Sequence, residues 1–373
     1  MKIGILTSSR ADFGIYTPLI EQIIQDSYFE VEIIAFGTHL SENHGATISE
    51  IERLQNANIQ TIVTQVADGS PAEIASAYSD VVSKFSVYWA NNHYDLVLCL
   101  GDRYEMNGAV QAGIPFSVKF GHFHGGEKTL GAIDNTYRHQ ISLASTYHFT
   151  AAEGFSERVR SLIDNNPKTV FTVGSMSLSD LENYELFSRE DFNTQFSIPD
   201  EPFILCTVHP ETADSEASDE FANAIVASLY QLKNQVHLVV NLPNADTYGA
   251  LFRSKLQDFG SKNQEQVTLI ESFGKKGYFT AMSEALFLLG NSSSGIIEAA
   301  SFGKYAINIG NRQKGRLQSG NIIDVPFKST EIVAAAMELL DDPRNFSGKN
   351  EYVQKNTIPT IIQLLKSIGD GKL

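Results

Sequence analysis

The stretch that decides the fold runs from Gly101 to His139 and reads GDRYEMNGAVQAGIPFSVKFGHFHGGEKTLGAIDNTYRH. It follows the apolar run 94–100, YDLVLCL, which is typical of a buried strand in a parallel sheet. The pattern then predicts a helix over 104–112 and a second strand over 115–120. Both strands would end at the carboxyl edge of one sheet, which is where open α/β sheets bind their ligands.

Three carboxylates follow these two strands. Asp102 comes directly after the first strand, and Glu127 and Asp134 come after the second. Neighbouring carboxylates influence one another's protonation, so that one can serve as a general acid and another as a general base. We therefore predict acid–base catalysis at this edge, and the sequence leaves open which carboxylate has which role.

The same segment allows a metal site as an alternative. His122 and His124 lie two residues apart and would point the same way on a strand, with Asp102 and Glu127 as further ligands. Against this interpretation, the two histidines straddle the predicted end of the strand. The glycines at 125–126 also favour a close approach of the backbone. We therefore expect neither a metal nor a cofactor.

The composition of the chain limits which binding partners and which cellular compartment are expected. A chain of 373 residues exceeds the usual size of one domain, which predicts two domains. The formal net charge of −16 argues against nucleic acid or an anionic membrane as a partner. Cys99 and Cys206 lie in apolar runs and are expected to be reduced. Since no segment reads as a signal peptide or a membrane span, we expect a cytoplasmic protein.

Strand and helix patterns alternate along most of the chain, which predicts doubly wound parallel sheets. The periodicity fades over 174–201, and we place the domain boundary there. The predicted organisation is one domain over 1–175 with the carboxylates, a second over 176–355, and a final segment, 356–373, whose helix packs back on the first domain. The expected fold class is α/β, with two Rossmann-like domains facing a cleft.

A loop near the amino end could bind an anion. Residues 7–12, TSSRAD, lie between the first predicted strand and a helix over 14–25. Free N–H groups and the helix dipole favour anions at such a place, and Arg10 adds a bidentate phosphate donor. The alternative is a surface ion pair between Arg10 and Asp12.

The second half of the chain has a counterpart in 290–298, GNSSSGIIE. A loop of this kind, opening a predicted helix over 293–302, offers hydroxyl and N–H groups to a phosphate. N-capping alone would explain one of the serines at 292–294 but not all three. Glu298 would lie about one turn into the helix and could accept hydrogen bonds from ribose hydroxyls.

Two further segments could face the same ligand. His209 follows a predicted strand over 203–208, at the carboxyl edge of the second sheet; the alternative is a buried structural histidine. The loop 310–316, GNRQKGR, carries three cations that could neutralise a diphosphate. Its alternative is a solvated basic turn.

Taken together and in this order, the motifs resemble those of the UDP-N-acetylglucosamine 2-epimerases. They are TSSRAD at 7–12, GDRYE at 101–105, HGGE at 124–127, GAIDN at 131–135, RH at 138–139, VHPET at 208–212 and GNSSSGIIE at 290–298. HGGE and the loop 310–316 are similar to the hydrolysing branch of that family, the enzymes of the sialic-acid and legionaminic-acid pathways.

The resemblance implies a glycosyltransferase-B-like fold, UDP held mainly by the second domain, and no metal. The predicted catalytic residues are Asp102, Glu127, Asp134 and His209. The predicted UDP-binding residues are Arg10, Arg103, Asn244, Phe273, Ser292, Ser293, Ser294, Glu298 and Arg316. On the sugar side we predict His39, His124 and Arg138. The expected partner is a UDP-sugar, and a homo-oligomer, dimer or tetramer, is expected.

The implied reaction is elimination followed by hydration. Carbon 2 of the sugar bears no acidifying carbonyl, so cleavage of the anomeric C–O bond must help the loss of its hydrogen. The elimination leaves UDP and 2-acetamidoglucal, and hydration with protonation on the opposite face gives N-acetylmannosamine. A UDP-2,4-diacetamido-2,4,6-trideoxyglucose 2-epimerase of legionaminic-acid synthesis is the alternative within the family. A UDP-sugar glycosyltransferase and a catalytically silent sugar-nucleotide sensor are alternatives of other classes.

Overall fold

Every strand in the computed structural model runs parallel to its neighbours, in two separate sheets. The residues that the structure describes are 1–42, 46–54, 56–67, 70–130, 133–164, 167–179, 181, 184–211, 218–243 and 249–373. The chain divides into two compact units. The first consists of Met1–Glu127, Asp134–Glu182 and Tyr352–Leu373, and the second of Lys128–Ile133 and Asn183–Glu351.

The first unit is built on a seven-stranded sheet in the order β3-β2-β1-β4-β5-β6-β7. Its strands are β1 (Lys2–Thr7), β2 (Glu30–Phe36), β3 (Asn58–Ile62), β4 (Leu96–Leu100), β5 (Phe120–Phe123), β6 (Tyr147–Thr150) and β7 (Val170–Thr172). Its helices are α1 (Arg10–Gln25), α2 (Ile48–Glu52), α3 (Pro71–Asn91), α4 (Tyr104–Gly113), α5 (Asp134–Ala144), α6 (Glu153–Leu162) and α13 (Thr357–Gly369).

The second unit is built on a six-stranded sheet in the order β10-β9-β8-β11-β12-β13. Its strands are β8 (Phe203–Thr207), β9 (His237–Asn241), β10 (Val267–Ile270), β11 (Leu288–Gly290), β12 (Ala306–Ile309) and β13 (Ile322–Val325). Its helices are α7 (Arg189–Phe196), α8 (Ser218–Leu232), α9 (Gly249–Ser261), α10 (Gly274–Glu284), α11 (Ser293–Ile297) and α12 (Ser329–Asp341).

The strand order reverses once in each sheet, between β1 and β4 in the first and between β8 and β11 in the second. Such a reversal opens a crevice at the carboxyl ends of the two strands, and ligands bind there in doubly wound folds. All five residues of β4 are buried, as are all five of β8, which explains their uninterrupted apolar sequences. The two switch points thus fall on the loops that the sequence motifs occupy.

The strand predicted over 115–120 is wrong. Ile114–Phe116 forms a single 3-10 turn, and β5 begins only at Phe120. Pro115 suits the first turn of a helix and cannot donate to a sheet ladder, and the flanking Ile114 and Phe116 are half exposed. As a result, His122 lies inside the strand and is fully buried.

Other element boundaries also differ from the sequence predictions. Helix α1 begins at Arg10 rather than at 14, because Ser9 and Asp12 form a capping box. Helix α11 ends at Ile297, so Glu298 follows it instead of lying inside it. The predictions missed α7 and β13; β13 is a half-buried edge strand of four residues, and such a strand has no continuous apolar run.

The predicted and observed divisions of the chain differ in detail. The segment Lys128–Ile133 belongs to the second unit, where the Leu130 N–H donates to the Lys314 carbonyl at 3.0 Å. The chain returns to the first unit at Tyr352, whose carbonyl accepts the Ser175 N–H at 2.9 Å. Helix α13 belongs to this unit as well, and Lys366 pairs with Asp26 at 2.6 Å. None of the helices in the part of the chain that the structure describes is both long and apolar enough to cross a membrane.

Two buried histidines make the stability of the first unit depend on pH. His122 and His148 lie side by side on β5 and β6, and burial lowers the pKa of His122 to about 3 and that of His148 to about 4. The unfolded chain binds these protons near pH 6.5 and the folded chain does not. We therefore expect the free energy of unfolding to fall as the pH drops below about 6.5, with a slope approaching about 2.7 kcal/mol per pH unit.

Urea unfolding between pH 7.5 and 5, above the range where most carboxylates titrate, measures this slope. His148→Met, an apolar replacement for a ring whose two nitrogens have no partner among the described residues, should remove one proton from the difference and lower the slope by about 1.4 kcal/mol per pH unit. A free energy of unfolding that does not change over this range would contradict the prediction.

Candidate functional site

The turn that presents Asp102 is held by a buried histidine. Gly101 has a φ of +84°, a left-handed conformation that favours glycine, and its carbonyl lies 2.9 Å from His122 Nε2. The other ring nitrogen, Nδ1, lies 3.0 Å from Ser142 Oγ. Because burial keeps this imidazole neutral, Nε2 donates to the carbonyl and Nδ1 accepts from the hydroxyl. Both nitrogens are thus engaged within the protein, which leaves His122 without a free ligand atom for a metal.

Arg138 joins two of the predicted carboxylate positions. Its guanidinium is 2% exposed, donates to the backbone carbonyl of Glu127 at 3.0 Å and forms an ion pair with Asp102. Asp134 is the first residue of the same helix, α5, one turn before Arg138 and therefore on the same face. Arg138 thus links Asp102 to the backbone of Glu127 at the ends of β4 and β5. Their catalytic roles stay predictions.

His124 belongs to the same cluster. Its Nδ1 lies 2.8 Å from Glu127 Oε1, and the Glu127 side chain is 2% exposed. Its φ of +62° lies in the left-handed region, which is uncommon for a residue with a side chain. His124, predicted on the sugar side, is therefore a direct partner of a predicted catalytic carboxylate.

The remaining first-unit predictions lie in local networks. Asp12 accepts the Ser8 and Ser9 N–H groups at 2.9 and 3.1 Å, so its carboxylate organises the loop that carries the exposed Arg10. The two ring nitrogens of His39 lie 2.9 Å from Thr7 Oγ1 and 2.8 Å from Thr47 Oγ1. His39 thus braces the same loop.

Arg103, predicted to bind UDP, is oriented by its own segment. Its guanidinium makes two parallel hydrogen bonds to the fully buried Glu105, at 3.1 and 2.9 Å. Bidentate pairing of this kind fixes the plane of the guanidinium. The side chain is 41% exposed, so its outer face is open to solvent.

In the second unit, Asn291 ties three loops together. Its side chain accepts the His209 N–H at 2.7 Å and donates to the His209 carbonyl at 2.9 Å. Its backbone carbonyl accepts from Arg312 Nη1 at 3.1 Å and from Gln313 Nε2 at 2.8 Å. Gly290 makes this approach possible: a Cβ at that position would lie 1.9 Å from the Thr207 carbonyl oxygen. The predicted phosphate loop, the His209 loop and the loop 310–316 therefore form one structure.

Glu211 anchors the loop 310–316 from the other side. Its Oε1 accepts the N–H groups of Asn311 and Arg312, the latter at 2.8 Å, and its side chain is buried. Gly310 has a φ of +79°, and a Cβ there would lie 2.5 Å from Glu211 Oε1. The loop that carries Arg312 and Arg316 is therefore built around a buried carboxylate rather than being a solvated turn.

His209, predicted to be catalytic, carries no charge in this structure at neutral pH. Burial, and secondarily the charge of Arg312, lowers its pKa to about 3. A neutral imidazole can donate or accept a hydrogen bond, but it cannot offset the charge of a diphosphate. The positive charges of the loop 310–316 are those of Arg312, Lys314 and Arg316.

The serine loop opens α11. Ser292 is its N-cap and accepts the Ser294 N–H at 3.3 Å. Tyr278 faces this loop, with its hydroxyl 3.4 Å from Thr207 Oγ1, and burial raises the pKa of that hydroxyl. A small pocket lies behind the loop, lined by the following residues: Thr207, Tyr278, Gly290, Ser292, Gly295 and Asn308, with apolar side chains of β8, β11, α11 and β12.

One predicted UDP contact, Phe273, packs away from this arrangement. Phe273 is 7% exposed and packs in the core against Phe192 and Phe196, with ring centroids 5.9 and 4.8 Å away. It is therefore a core residue, and the sequence left open whether Phe273 or Tyr278 flanks the uracil. Asn244 lies outside the described residues.

Asn291, Glu211 and Gln313, which organise the second-unit loops, were not predicted from the sequence. Asn291 and Glu211 lie inside motifs that the sequence singled out, so a signal existed, but nothing in the sequence shows that their side chains bridge separate loops. Within the part of the chain that the structure describes, no three His, Cys, Asp or Glu side chains are grouped so that they could hold a metal ion.

Two doubly wound parallel sheets, each with polar loops at its switch point, place the chain among the glycosyltransferase-B-like α/β proteins, and this prediction is confirmed. The structure of a UDP-GlcNAc 2-epimerase from Neisseria meningitidis shares the fold, with a TM-score of 0.80 and 19% identity over 98% of this chain and 100% of that chain. The family model of UDP-N-acetylglucosamine 2-epimerase matches residues 21–366. The chain belongs to this family.

Two relatives are similar over most of their length. A UDP-N,N'-diacetylbacillosamine 2-epimerase (hydrolyzing) from Legionella pneumophila is 31% identical over 369 residues, which are 98% of this chain and 96% of that protein. A GDP/UDP-N,N'-diacetylbacillosamine 2-epimerase (hydrolyzing) from Campylobacter jejuni is 34% identical over 324 residues, which are 87% of this chain and 84% of that protein. Both carry the hydrolysing designation, in agreement with the branch that the motifs resemble.

Proposed function

We propose that this protein is a hydrolysing 2-epimerase of a UDP-2-acetamido sugar. The observation that carries the proposal is the cluster of Asp102, Glu127 and Arg138 at the ends of β4 and β5, in a chain that belongs to the 2-epimerase family. A glycosyltransferase of the same fold class would need an acceptor site at this place rather than a set of acid–base groups.

Two substrates fit this chemistry. UDP-N-acetylglucosamine is the substrate that the sequence motifs suggest first, and UDP-2,4-diacetamido-2,4,6-trideoxyglucose, which is UDP-N,N'-diacetylbacillosamine, is the alternative. The names of the two relatives at 31% and 34% identity favour the diacetamido sugar. We therefore propose UDP-N,N'-diacetylbacillosamine as the substrate and keep UDP-N-acetylglucosamine as the second candidate.

The proposed reaction has two halves. In the first, a base removes the hydrogen of carbon 2 while the anomeric C–O bond breaks and UDP leaves, which gives a 2-acetamidoglycal. In the second, water adds at carbon 1 and an acid delivers a proton to the opposite face of carbon 2. We propose that the departing diphosphate is bound by Arg312, Arg316 and the N–H groups of the serine loop at the start of α11. Cations and free N–H groups stabilise a departing anion.

The reaction in heavy water tests this function. Because carbon 2 loses its own hydrogen and takes one from the solvent, the free sugar should carry one deuterium at carbon 2, and UDP should be released in equal amount. Each candidate sugar nucleotide is incubated separately without an acceptor, and the products are read by NMR and chromatography. The preferred substrate should turn over at least tenfold faster than the other.

Each alternative function gives a different result in that experiment. A glycosyltransferase or a simple hydrolase would leave the original hydrogen on carbon 2, since neither breaks that bond. A non-hydrolysing epimerase would incorporate deuterium but keep the sugar attached to UDP. A sensor protein would return the sugar nucleotide unchanged.

A further inference from the structure

We propose that His124 is the general base that removes the hydrogen of carbon 2, and that Glu127 is a positioning residue that acts through His124. The proposal rests on the proposed function and deepens it, because it assigns one of the two proton transfers to a named atom, His124 Nε2. From the sequence, Glu127 is predicted to be catalytic and His124 is predicted to contact the sugar.

The geometry of the 124–127 turn supports this assignment. His124 Nδ1 and Glu127 Oε1 lie 2.8 Å apart, a hydrogen-bonding distance between residues only three positions apart in the chain. Gly126 makes the turn possible, because it has a φ of +80° and a Cβ there would lie 2.4 Å from the Phe155 carbonyl oxygen. Gly126 thus lets the chain turn so that the carboxylate of Glu127 reaches the ring of His124.

The imidazole is the more exposed side chain of the pair, although its Nε2 is shielded from solvent. The Glu127 side chain is 2% exposed, and its backbone carbonyl is held by Arg138 at 3.0 Å. The His124 side chain is 13% exposed and lies just beyond the end of β5, at the carboxyl edge of the sheet. A carboxylate so enclosed is better placed to orient the ring than to reach a sugar.

The tautomer of His124 follows from its hydrogen-bond partner, the Glu127 carboxylate. An ionised carboxylate only accepts hydrogen bonds, so Nδ1 carries the hydrogen and Nε2 keeps its lone pair. Among the residues that the structure describes, none is a hydrogen-bond partner of His124 Nε2, although the atom is shielded from solvent. Buried polar atoms without a partner are uncommon and ask for an explanation. A lone pair that the protein leaves unused at a ligand-binding edge is suited to accept a proton from a substrate.

The backbone conformation of His124 also supports this assignment. A φ of +62° costs free energy for a residue with a side chain, and such conformations concentrate at functional sites. A turn that served only to close the strand would accept glycine or asparagine here without that cost. A histidine held in this conformation by a buried carboxylate is explained by the chemistry of its ring.

The lone pair of Nε2 takes the carbon 2 hydrogen as a proton, and the electron pair of the C–H bond forms the double bond between carbons 1 and 2. The electron pair of the anomeric C–O bond leaves with the oxygen of UDP. The imidazolium that forms is stabilised by the Glu127 carboxylate, and it returns its proton to water. In the second half of the reaction, another acid must protonate the opposite face of carbon 2. The candidates for this acid are Asp102 and Asp134.

The test separates the two half-reactions. UDP release from the UDP-sugar reports the elimination, and hydration of the corresponding 2-acetamidoglycal, supplied together with UDP, reports the second half. His124→Asn and His124→Gly both suit a left-handed backbone and should fold. We expect UDP release to fall about a hundredfold or more in both variants. Glycal hydration should stay within a few fold of the wild-type rate.

Chemical rescue adds a readout that a merely structural role would not change. Added imidazole should restore UDP release in His124→Gly, where it can occupy the vacated space, and not in His124→Asn. Glu127→Gln should lose UDP release and should not respond to imidazole, since the ring is present but no longer oriented by a carboxylate. Ser117→Gly, a glycine substitution at another left-handed position with a φ of +55°, is the matched control and should behave as the wild type.

Two outcomes would overturn the assignment. The first is near-wild-type UDP release in His124→Asn. The second is an equal loss of both half-reactions in the His124 variants without rescue by imidazole, which would show a structural role. If the wild-type protein itself releases no UDP from either candidate sugar nucleotide, the proposed function fails, and that result is read from the wild type before any variant is made.

Discussion

Asp102→Asn should lower the rate at which the free 2-epimerised sugar forms about a hundredfold or more while the affinity for UDP stays unchanged. Asparagine has the shape of aspartate and can still accept a hydrogen bond from Arg138, so the turn after β4 should keep its structure. It cannot exchange a proton or offset positive charge on the sugar ring, and loss of an acid–base group typically costs two to four orders of magnitude. UDP affinity should not change, because the groups proposed to hold UDP are mainly those of the second unit.

The matched control for this substitution lies at the other end of the same strand. Asp95 precedes β4 and accepts the Lys2 N–H at 2.7 Å, so Asp95→Asn makes the same chemical change away from the carboxyl edge. Steady-state kinetics of formation of the free 2-epimerised sugar and calorimetric titration with UDP measure the two effects. Turnover of Asp102→Asn within a few fold of the wild-type rate would remove Asp102 from the mechanism.

Glu211→Ala should weaken UDP binding at least tenfold. Its carboxylate accepts the N–H groups of Asn311 and Arg312, and alanine would leave both N–H groups without this partner. An unsatisfied buried donor costs about 1–3 kcal/mol, so the loop 310–316 should leave its position and carry Arg312 and Arg316 away from the ligand. The loss thus arises from disorder in the loop rather than from loss of a direct contact.

Glu211→Gln is the conservative control. The glutamine carbonyl can still accept hydrogen bonds from the loop, so this variant should bind UDP within a few fold of the wild-type affinity. Calorimetric titration of both variants with UDP, together with urea unfolding, separates a local from a global effect. Equal UDP affinity of Glu211→Ala and the wild type would show that the loop does not need this anchor, and would contradict the role that we give to Glu211.

Much of the site organisation was predictable from the sequence because parallel sheets impose it. Once β4 and β5 are adjacent parallel strands, the residues that follow them must meet at one edge, and Asp102 and Glu127 do so. The position of β5 itself was less predictable, because the apolar residues around Pro115 look like a strand. Proline and the half-exposed Ile114 and Phe116 form a turn there instead.

The sequence by itself determined the alternation of strands and helices, the two sheets and the loops that carry polar residues, because these follow from local periodicity and from the geometry of parallel sheets. Only the tertiary structure decided what each polar side chain contacts. It placed Phe273 in the core, made His209 a neutral imidazole, and turned Glu127 towards His124. The physical reason is that burial, charge state and hydrogen-bond partners depend on residues far apart in the chain, such as Asn291 with His209 and Glu211 with Arg312.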